Sequence, residues 1–344
     1  MLLTQAGCGS DPGQPRPAVS GSELNLYNWS EYIPQDILDD FSRQTGCKVN
    51  LTSYEDLESM IAELERGGDA RYDVVVPSDF VIPTLIDRHL LAPLRKANLP
   101  NVANIATNFL NPPYDPGNLF TVPYLWGTTG IFARAPVPES ERSWGLVFDP
   151  TRQRGRFTLM DSKREMIGPA LLYLGYDPST TDKAALARAE DLLVQTSQRS
   201  VGFFGGVESK TKLVKGEADL VVSYNGDALR GMEELPSASY FVPREGGNYW
   251  VDNLAIPARA PHRDLAERFL NFLLDPQVGA RLANYNHTAS PNRAAEPFLD
   301  VQDRANPVIY PSRETLARLS LIKNLGSDNG LYDQLWSRVR GKSR

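Results

Sequence analysis

Short apolar strands alternate with amphipathic helices over residues 24–88, and this order limits the possible folds more than any other feature of the chain. Periodicity predicts strands at 24–27, 49–54 and 72–76, and helices at 34–45, 57–66 and 81–88. The strand at 72–76 is a nearly continuous apolar run, as expected of a parallel strand buried on both faces. A β-α-β-α-β order of this kind predicts a doubly wound sheet.

The remainder of the chain continues the α/β pattern. Further strands are predicted at 157–160, 219–224, 239–243 and 249–256, and further helices at 165–174, 182–196, 262–274, 276–284, 312–321 and 330–340. A chain of 344 residues, 41% of them hydrophobic, is long enough for about two domains with their own cores. We therefore predict two α/β units.

Several predicted strands end in a cluster of aromatic, hydroxyl and carboxylate side chains. The clusters occupy residues 29–32, 78–80, 161–165, 224–227 and 250–252. Because ligands bind beyond the carboxyl ends of strands in open α/β sheets, five such clusters predict one cleft between the two units. Aromatic walls beside carboxylates are typical of a site for an organic cation with an apolar stem. The alternative is that the aromatic residues pack in the core and the acids are solvated.

Composition argues against several other classes of function. The net charge is −6 and no Lys/Arg run interleaves with aromatic residues, so nucleic acid is not an expected partner. Two cysteines and three histidines (His89, His262 and His287) show no metal-ligand spacing, and we predict no metal or cofactor. Without a Gly-x-Ser-x-Gly elbow, the best enzyme alternative is a glycosidase using a carboxylate pair such as Glu31 and Asp252.

The N-terminus resembles the end of a lipoprotein signal, because small residues precede Cys8. It lacks a basic region and a full apolar segment, so it is interpreted as a truncated leader. Residues 9–22 are rich in Pro, Gly and Ser and are predicted to form a tether. This interpretation predicts a domain outside the cytoplasmic membrane, lipid-anchored through Cys8, and the alternative is a leader without a role. No later segment reaches the ~18 apolar residues that span a bilayer.

Several segments resemble bacterial polyamine-binding proteins, the periplasmic spermidine- and putrescine-binding subunits of ABC importers. The matching segments are 26–34, 72–78, 122–130, 174–176, 225–228, 243–252, 269–276 and 291–295. They occur in one collinear order over about 24–340. The resemblance implies a two-lobed periplasmic-binding-protein fold of type II, in which each lobe is a sheet flanked by helices and the ligand lies in the cleft between them.

The resemblance also implies how the chain divides and what it does. Residues 1–23 would be the leader and tether, 24–127 plus 253–296 lobe 1, and 128–252 plus 297–344 lobe 2. The implied function is capture of putrescine or spermidine by a monomeric periplasmic protein and delivery to an ABC permease, with no enzyme activity. The open alternatives are another cationic amine, an amino acid derivative, or a sensor role on the same fold.

Position by position, the resemblance implies ligand contacts from both lobes: Trp29, Ser30, Glu31, Tyr32, Ser78, Phe80, Glu165, Tyr224, Asp227, Trp250 and Asp252. In this assignment Asp252 binds an ammonium group and Trp250 lies beside it as an aromatic wall. Two further acids, Asp79 and Asp161, are candidates from their places in the strand-end clusters.

The chain departs from the family pattern at several positions. Ser162 replaces an aspartate, Thr288 a tyrosine and Ile322 a glutamine, while Lys163 and Arg164 add positive charge beside Glu165. These changes leave the preferred polyamine open.

Overall fold

The computed structural model describes residues 23–342, which form an α/β fold. The predicted leader and tether, including Cys8, lie outside the described residues, except that Glu23 begins the first strand. No helix in the described part of the chain has the length and hydrophobicity needed to cross a membrane.

The described residues contain ten strands: β1 (Glu23–Trp29), β2 (Lys48–Tyr54), β3 (Val74–Val75), β4 (Thr121–Ala133), β5 (Phe157–Met160), β6 (Phe203–Phe204), β7 (Leu220–Tyr224), β8 (Ser239–Phe241), β9 (Gly247–Ala255) and β10 (Leu319–Ser320). Their spatial order is β2-β1-β3-β9-β4-β7-β5-β6, with β8 beside β4 and β10 beside β9. The strands β2, β1 and β3 are parallel, as the β-α-β-α-β pattern predicts. The neighbouring strand β9 runs antiparallel to β3.

Strand β4 is the longest and is buried along its whole length. Its first part pairs with β9, and its last five residues pair with β7. The periodicity did not predict it as a strand, because Pro123, Gly127 and Gly130 interrupt the apolar pattern. Strands β4 and β9 therefore connect the two halves of the fold.

The helices are α1 (Gln35–Thr45), α2 (Leu57–Glu65), α3 (Ile82–Asp87), α4 (Gly145–Phe148), α5 (Lys163–Tyr173), α6 (Lys183–Ser197), α7 (Gly206–Val214), α8 (Asn225–Glu234), α9 (Arg263–Leu273), α10 (Pro276–Asn286), α11 (Val301–Arg304), α12 (Arg313–Leu316) and α13 (Asn329–Lys342). Most predicted helices are confirmed within a few residues. The predicted helix at 312–321 is wrong beyond Leu316, since the chain turns into β10 to pair with β9. Helices α7 and α8 were not predicted.

Helices cover both faces of the sheet in each half. In the first half, Leu26 of β1 packs into a core with α1, α9 and α10, while its neighbour Tyr27 packs on the opposite face with α2. In the second half, Val222 of β7 packs with α5, α6 and α13, and Val221 packs on the other face. Successive strand residues point to opposite faces, so each half has two buried layers. The residue boundaries assigned to the two lobes remain predictions.

Candidate ligand-binding site

A cavity between the two halves of the fold encloses about 960 Å³ of empty space, part of it open to solvent. The segments that line it are the end of β1 and the loop after it, the loop and first turn at 55–58, the ends of β3, β5 and β7, the middle of β9, the first turns of α5, α7 and α8, and residues 286 and 288. Four of the five predicted clusters therefore meet at strand ends, as the sequence predicts, whereas the cluster 250–252 lies within β9 and not at its end.

The loop after β1 is held by backbone contacts to its surroundings. The Ser30 N–H donates to the Tyr54 carbonyl oxygen at 3.2 Å, so the loop continues the pairing of β1 with β2. The Tyr32 carbonyl oxygen accepts from Asn286 at 3.1 Å and from the Tyr124 hydroxyl at 3.3 Å. These contacts present Trp29, Ser30 and Tyr32 to the cavity.

Both carboxylate oxygens of Asp252 accept hydrogen bonds from side chains of the cavity. Its side chain is buried in the middle of β9, 5% exposed. The Tyr32 hydroxyl donates to its Oδ2 at 2.7 Å, and the Ser78 hydroxyl makes a short hydrogen bond to its Oδ1. Burial raises the pKa of Asp252 to about 6, although both hydroxyl groups oppose that rise. The carboxylate is oriented by neutral donors, and no cationic side chain of residues 23–342 forms an ion pair with it.

Glu165 lies near Asp252 and is also buried, 2% exposed. Its Oε2 accepts from the Asn248 amide at 2.9 Å. Burial raises the pKa of Glu165, and the negative charge of Asp252 adds to the rise. The positive charge of the neighbouring Arg164 opposes this rise. The Arg164 guanidinium itself stacks on the Tyr332 ring at 4.6 Å. Two buried acids that repel each other make a site at which an external cation is stabilised.

Aromatic side chains form the walls around these acids. The Trp250 and Tyr224 rings lie perpendicular to each other, with centroids 5.7 Å apart. On the opposite side, Trp29 packs on Tyr54 at 4.7 Å, and Phe80 lies nearby in the lining. Flat rings of this kind suit an alkyl stem, and a ring face also attracts a cation.

The structure brings together eleven of the predicted site residues in the lining: Trp29, Ser30, Tyr32, Ser78, Phe80, Asp161, Glu165, Tyr224, Asp227, Trp250 and Asp252. Two predicted residues are not in the lining. Glu31 is exposed and adopts a left-handed backbone conformation with φ of 53°, and it does not line the cavity. Asp79 is buried beside the cavity, where its Oδ1 accepts from the Phe80 N–H at 2.9 Å.

The remaining departures from the family pattern have different positions. Ser162 and Thr288 line the cavity, whereas Ile322 is buried outside it. Lys163 is not in the lining, but it pairs with Asp333 at 2.6 Å and with the lining residue Glu58 at 3.1 Å. Within residues 23–342, no group of three or more His, Cys, Asp or Glu side chains is arranged to hold a metal ion.

A sequence profile of the family described as bacterial extracellular solute-binding protein matches residues 36–306. The chain belongs to this family. Solute-binding proteins of known structure share the fold: the spermidine/putrescine ABC transporter substrate-binding protein of Streptococcus pneumoniae aligns with a TM-score of 0.79 at 28% identity, over 94% of this chain and 100% of that one. The predicted fold class, with two lobes and a cleft, is confirmed.

Two relatives of this solute-binding protein are similar along nearly their whole length. The spermidine/putrescine-binding periplasmic protein of Escherichia coli (strain K12) is 32% identical, over 94% of this chain and 93% of that protein. The putrescine/cadaverine-binding protein of Pseudomonas aeruginosa is 30% identical, over 94% of this chain and 95% of that protein.

The cleft of this solute-binding protein also contains residues that sequence reasoning missed. The acids Glu55, Asp56 and Glu58 follow β2 at the same edge of the sheet, and the strand-end pattern applied to β2 would have found them. Asp56 also caps α2, because its carboxylate accepts from the Ser59 N–H at 2.7 Å. Arg230 was missed as well, although its spacing of three residues from Asp227 on one helix predicts an ion pair.

The charged residues of the lining are strongly unbalanced. The described lining residues include seven carboxylates and one cation, Arg230: the carboxylates are Glu55, Asp56, Glu58, Asp161, Glu165, Asp227 and Asp252. Two of these acids pair with cations outside the lining, Glu58 with Lys163 and Asp161 with Arg340, each at 3.1 Å. The remaining excess of acids favours cationic ligands over anions.

Proposed function

We propose that this protein captures a polyamine, putrescine or spermidine, in the inter-lobe cleft and delivers it to an ABC permease. The observation that carries the proposal is a buried carboxylate, Asp252, oriented by two hydroxyl groups inside a cavity with aromatic walls whose charged lining residues are mostly acids. The names of the relatives, which are spermidine-, putrescine- or cadaverine-binding proteins, support the same ligand class.

In the proposed complex, one ammonium group of the ligand binds between Asp252 and Glu165. An ammonium loses strong hydration on entering the cavity, and carboxylates replace the lost hydrogen bonds best, because charge-assisted bonds are about twice as strong as neutral ones. Tyr32 and Ser78 hold the Asp252 carboxylate in place, so the site needs little rearrangement. The ammonium also supplies a positive charge that balances the two buried carboxylates, Asp252 and Glu165.

The alkyl stem of the ligand would lie against the aromatic walls. Trp29 and Phe80 come from one side of the cleft, and Tyr224 and Trp250 come from the other. A cation over such a ring adds ~0.5–2 kcal/mol, with the larger value in a desolvated site. Asp161, at the cavity edge and 43% exposed, already pairs with Arg340 at 3.1 Å, so a more distant ammonium would share this carboxylate with that arginine.

Transport follows from ligand contacts to both lobes. A ligand held from two sides stabilises the closed arrangement, and the permease would recognise that arrangement. This role requires no covalent chemistry, so we propose binding without enzyme activity. A periplasmic location agrees with the name of the Escherichia coli relative. Lipid anchoring through Cys8, a monomeric state and the site roles of individual residues are part of the proposal.

The test starts with mass spectrometry of any ligand released from the purified protein. Titration calorimetry with putrescine, cadaverine and spermidine then measures affinity in wild type, Asp252→Asn and Asp191→Asn. Asp191 is an exposed acid of α6 outside the cavity, so its variant controls for loss of one negative charge. We expect tight binding of at least one amine, weakened only by Asp252→Asn. Absence of binding below the millimolar range by all three amines would reject the polyamine proposal.

A further inference from the structure

Asp227 lines the cavity, but its carboxylate is already occupied. Arg230, one turn further along α8, places Nη2 2.7 Å from Asp227 Oδ1. The two side chains are 18% and 9% exposed, so the ion pair is largely removed from water. An ion pair in such surroundings is weakened little by solvent or salt. A cationic ligand would have to compete with a cation that belongs to the same helix.

The second oxygen of Asp227 is enclosed as well. A methyl group added to Gly206, at the start of α7, would lie 2.2 Å from Asp227 Oδ2. The α7 backbone therefore closes over this oxygen at a distance that leaves no room for a ligand atom between them. With Oδ1 bonded to Arg230 and one side of Oδ2 covered by Gly206, the Asp227 side chain is only 9% exposed and leaves little carboxylate surface for an ammonium group.

Arg230 is also anchored on the other side of the cleft. Its Nη1 donates to the Glu31 carbonyl oxygen at 3.1 Å, in the loop after β1. Displacing the guanidinium from Asp227 would leave a buried carboxylate and a partly buried cation to find new partners, and groups of this kind are costly to leave unpaired. The arrangement therefore resists replacement of Arg230 by a ligand.

We propose that Arg230 is a specificity-determining residue that neutralises Asp227, so that α8 offers no unpaired carboxylate to a ligand ammonium in the cavity. The proposal rests on the proposed polyamine function. Ammonium recognition is then confined to the part of the cavity around Asp252 and Glu165 and to the exposed acids at its edge. An amine with an additional charge that reaches α8 meets a carboxylate already paired with Arg230, so the protein favours the diamine putrescine over the triamine spermidine.

The experiment compares the dissociation constants of putrescine and spermidine by titration calorimetry in Arg230→Met, Arg230→Lys and the double variant Arg230→Met/Asp227→Asn. Arg338→Met is the matched control, because it removes an arginine that pairs with Glu190 on the exposed face of α13, outside the lining. Thermal unfolding checks that each variant is folded.

Removing Arg230 frees Asp227 for an ammonium, so Arg230→Met should shift selectivity toward spermidine by about tenfold, equivalent to ~1.4 kcal/mol. Arg230→Lys keeps the charge and should retain the wild-type ratio. The double variant Arg230→Met/Asp227→Asn also removes the freed carboxylate, so it should lose the shift in selectivity toward spermidine.

Two results would overturn the proposal. If Arg230→Met and Arg338→Met show the same selectivity, Arg230 does not determine it. If Arg230→Met weakens both amines equally, Arg230 is only a contact that holds the cleft together. Failure of the wild type to bind either amine is a distinct outcome that rejects the polyamine function itself, and this proposal with it.

Discussion

The protonation of Asp252 makes polyamine binding depend on pH. Its carboxyl is buried with a pKa of about 6, well above the ordinary value of 3.8. A proton on Asp252 removes the charge partner of the ligand ammonium. The ammonium itself titrates near pH 10, as the lysine side chain does, and keeps its charge throughout the range considered. Lowering the pH from 8 to 5 should therefore weaken binding.

The pKa of Asp252 sets the size of this effect. At pH 8 nearly all Asp252 is ionised, while at pH 5, about one unit below its pKa, roughly one molecule in eleven is. Binding that requires the carboxylate should weaken about tenfold, or ~1.4 kcal/mol. The pKa of Glu165 is raised too, which adds to the loss in the same direction. Near pH 6, binding should release about half a proton per ligand.

Titration calorimetry with putrescine at pH 8, 6 and 5 measures the change in affinity and the number of protons released on binding. Repeating the pH 6 titration in two buffers with different ionisation enthalpies gives the number of protons released. Asp252→Asn should have weak affinity and a flatter pH profile, while Asp191→Asn should behave like wild type. Circular dichroism at pH 5 confirms that the protein is folded. An affinity that changes less than twofold between pH 8 and 5, or proton uptake on binding, would refute the role given to Asp252.

Further substitutions test the site and the packing around it. Asp252→Asn should weaken putrescine binding by about tenfold or more at pH 8 without lowering the melting temperature, because burial disfavours the ionised carboxylate; calorimetry and thermal unfolding measure these effects. Trp250→Leu should weaken the binding of each amine by about twofold to thirtyfold, because a cation over a ring contributes ~0.5–2 kcal/mol. Equal affinities of wild type and Trp250→Leu in a calorimetric titration would exclude a contact between Trp250 and the ligand. The His287 imidazole lies 2.9 and 3.1 Å from two carboxylates, which raise its pKa. Protonated His287 stabilises the fold fully at pH values below the pKa of an unfolded histidine, near 6.5, and this stabilisation is lost as the pH rises through the higher pKa of the folded protein. His287→Gln should therefore lower the free energy of unfolding more at pH 5.5 than at pH 8.5, as measured by urea titrations. Gly127→Ala should reduce both stability and amine affinity, since the added methyl group would lie 2.2 Å from Asn225 Oδ1 and 2.4 Å from the Trp250 ring; wild-type melting and binding would contradict this expectation.

Elements with local signals were predicted well from the sequence. The helices α6 and α10 begin at aspartates whose carboxylates accept from the first free backbone N–H groups, and their apolar spacing is regular. The strand at 72–76 shrinks to Val74–Val75 in the structure, but its burial on both faces agrees with its apolar run. Strand β4 was missed because its proline and glycines interrupt the local apolar pattern. The space available at its glycines Gly127 and Gly130 is set by residues far along the chain, whereas propensity and periodicity depend only on residues that are near in the sequence.

The candidate site, like the fold, was predictable from the sequence only in part. The sequence by itself determined which chemical groups stand at the strand ends, because a strand's exit and its side chains are local properties. The tertiary structure decided which of those groups a ligand can meet. Tyr32 bonds Asp252 across 220 residues, Glu31 turns outward in a left-handed conformation, and Arg230 occupies Asp227 while reaching the opposite loop. The charge balance, burial and partners of a side chain depend on residues that only folding brings together. Asp227, which is paired with Arg230, and Asp252, which is bonded to two hydroxyl groups, therefore look alike in the sequence.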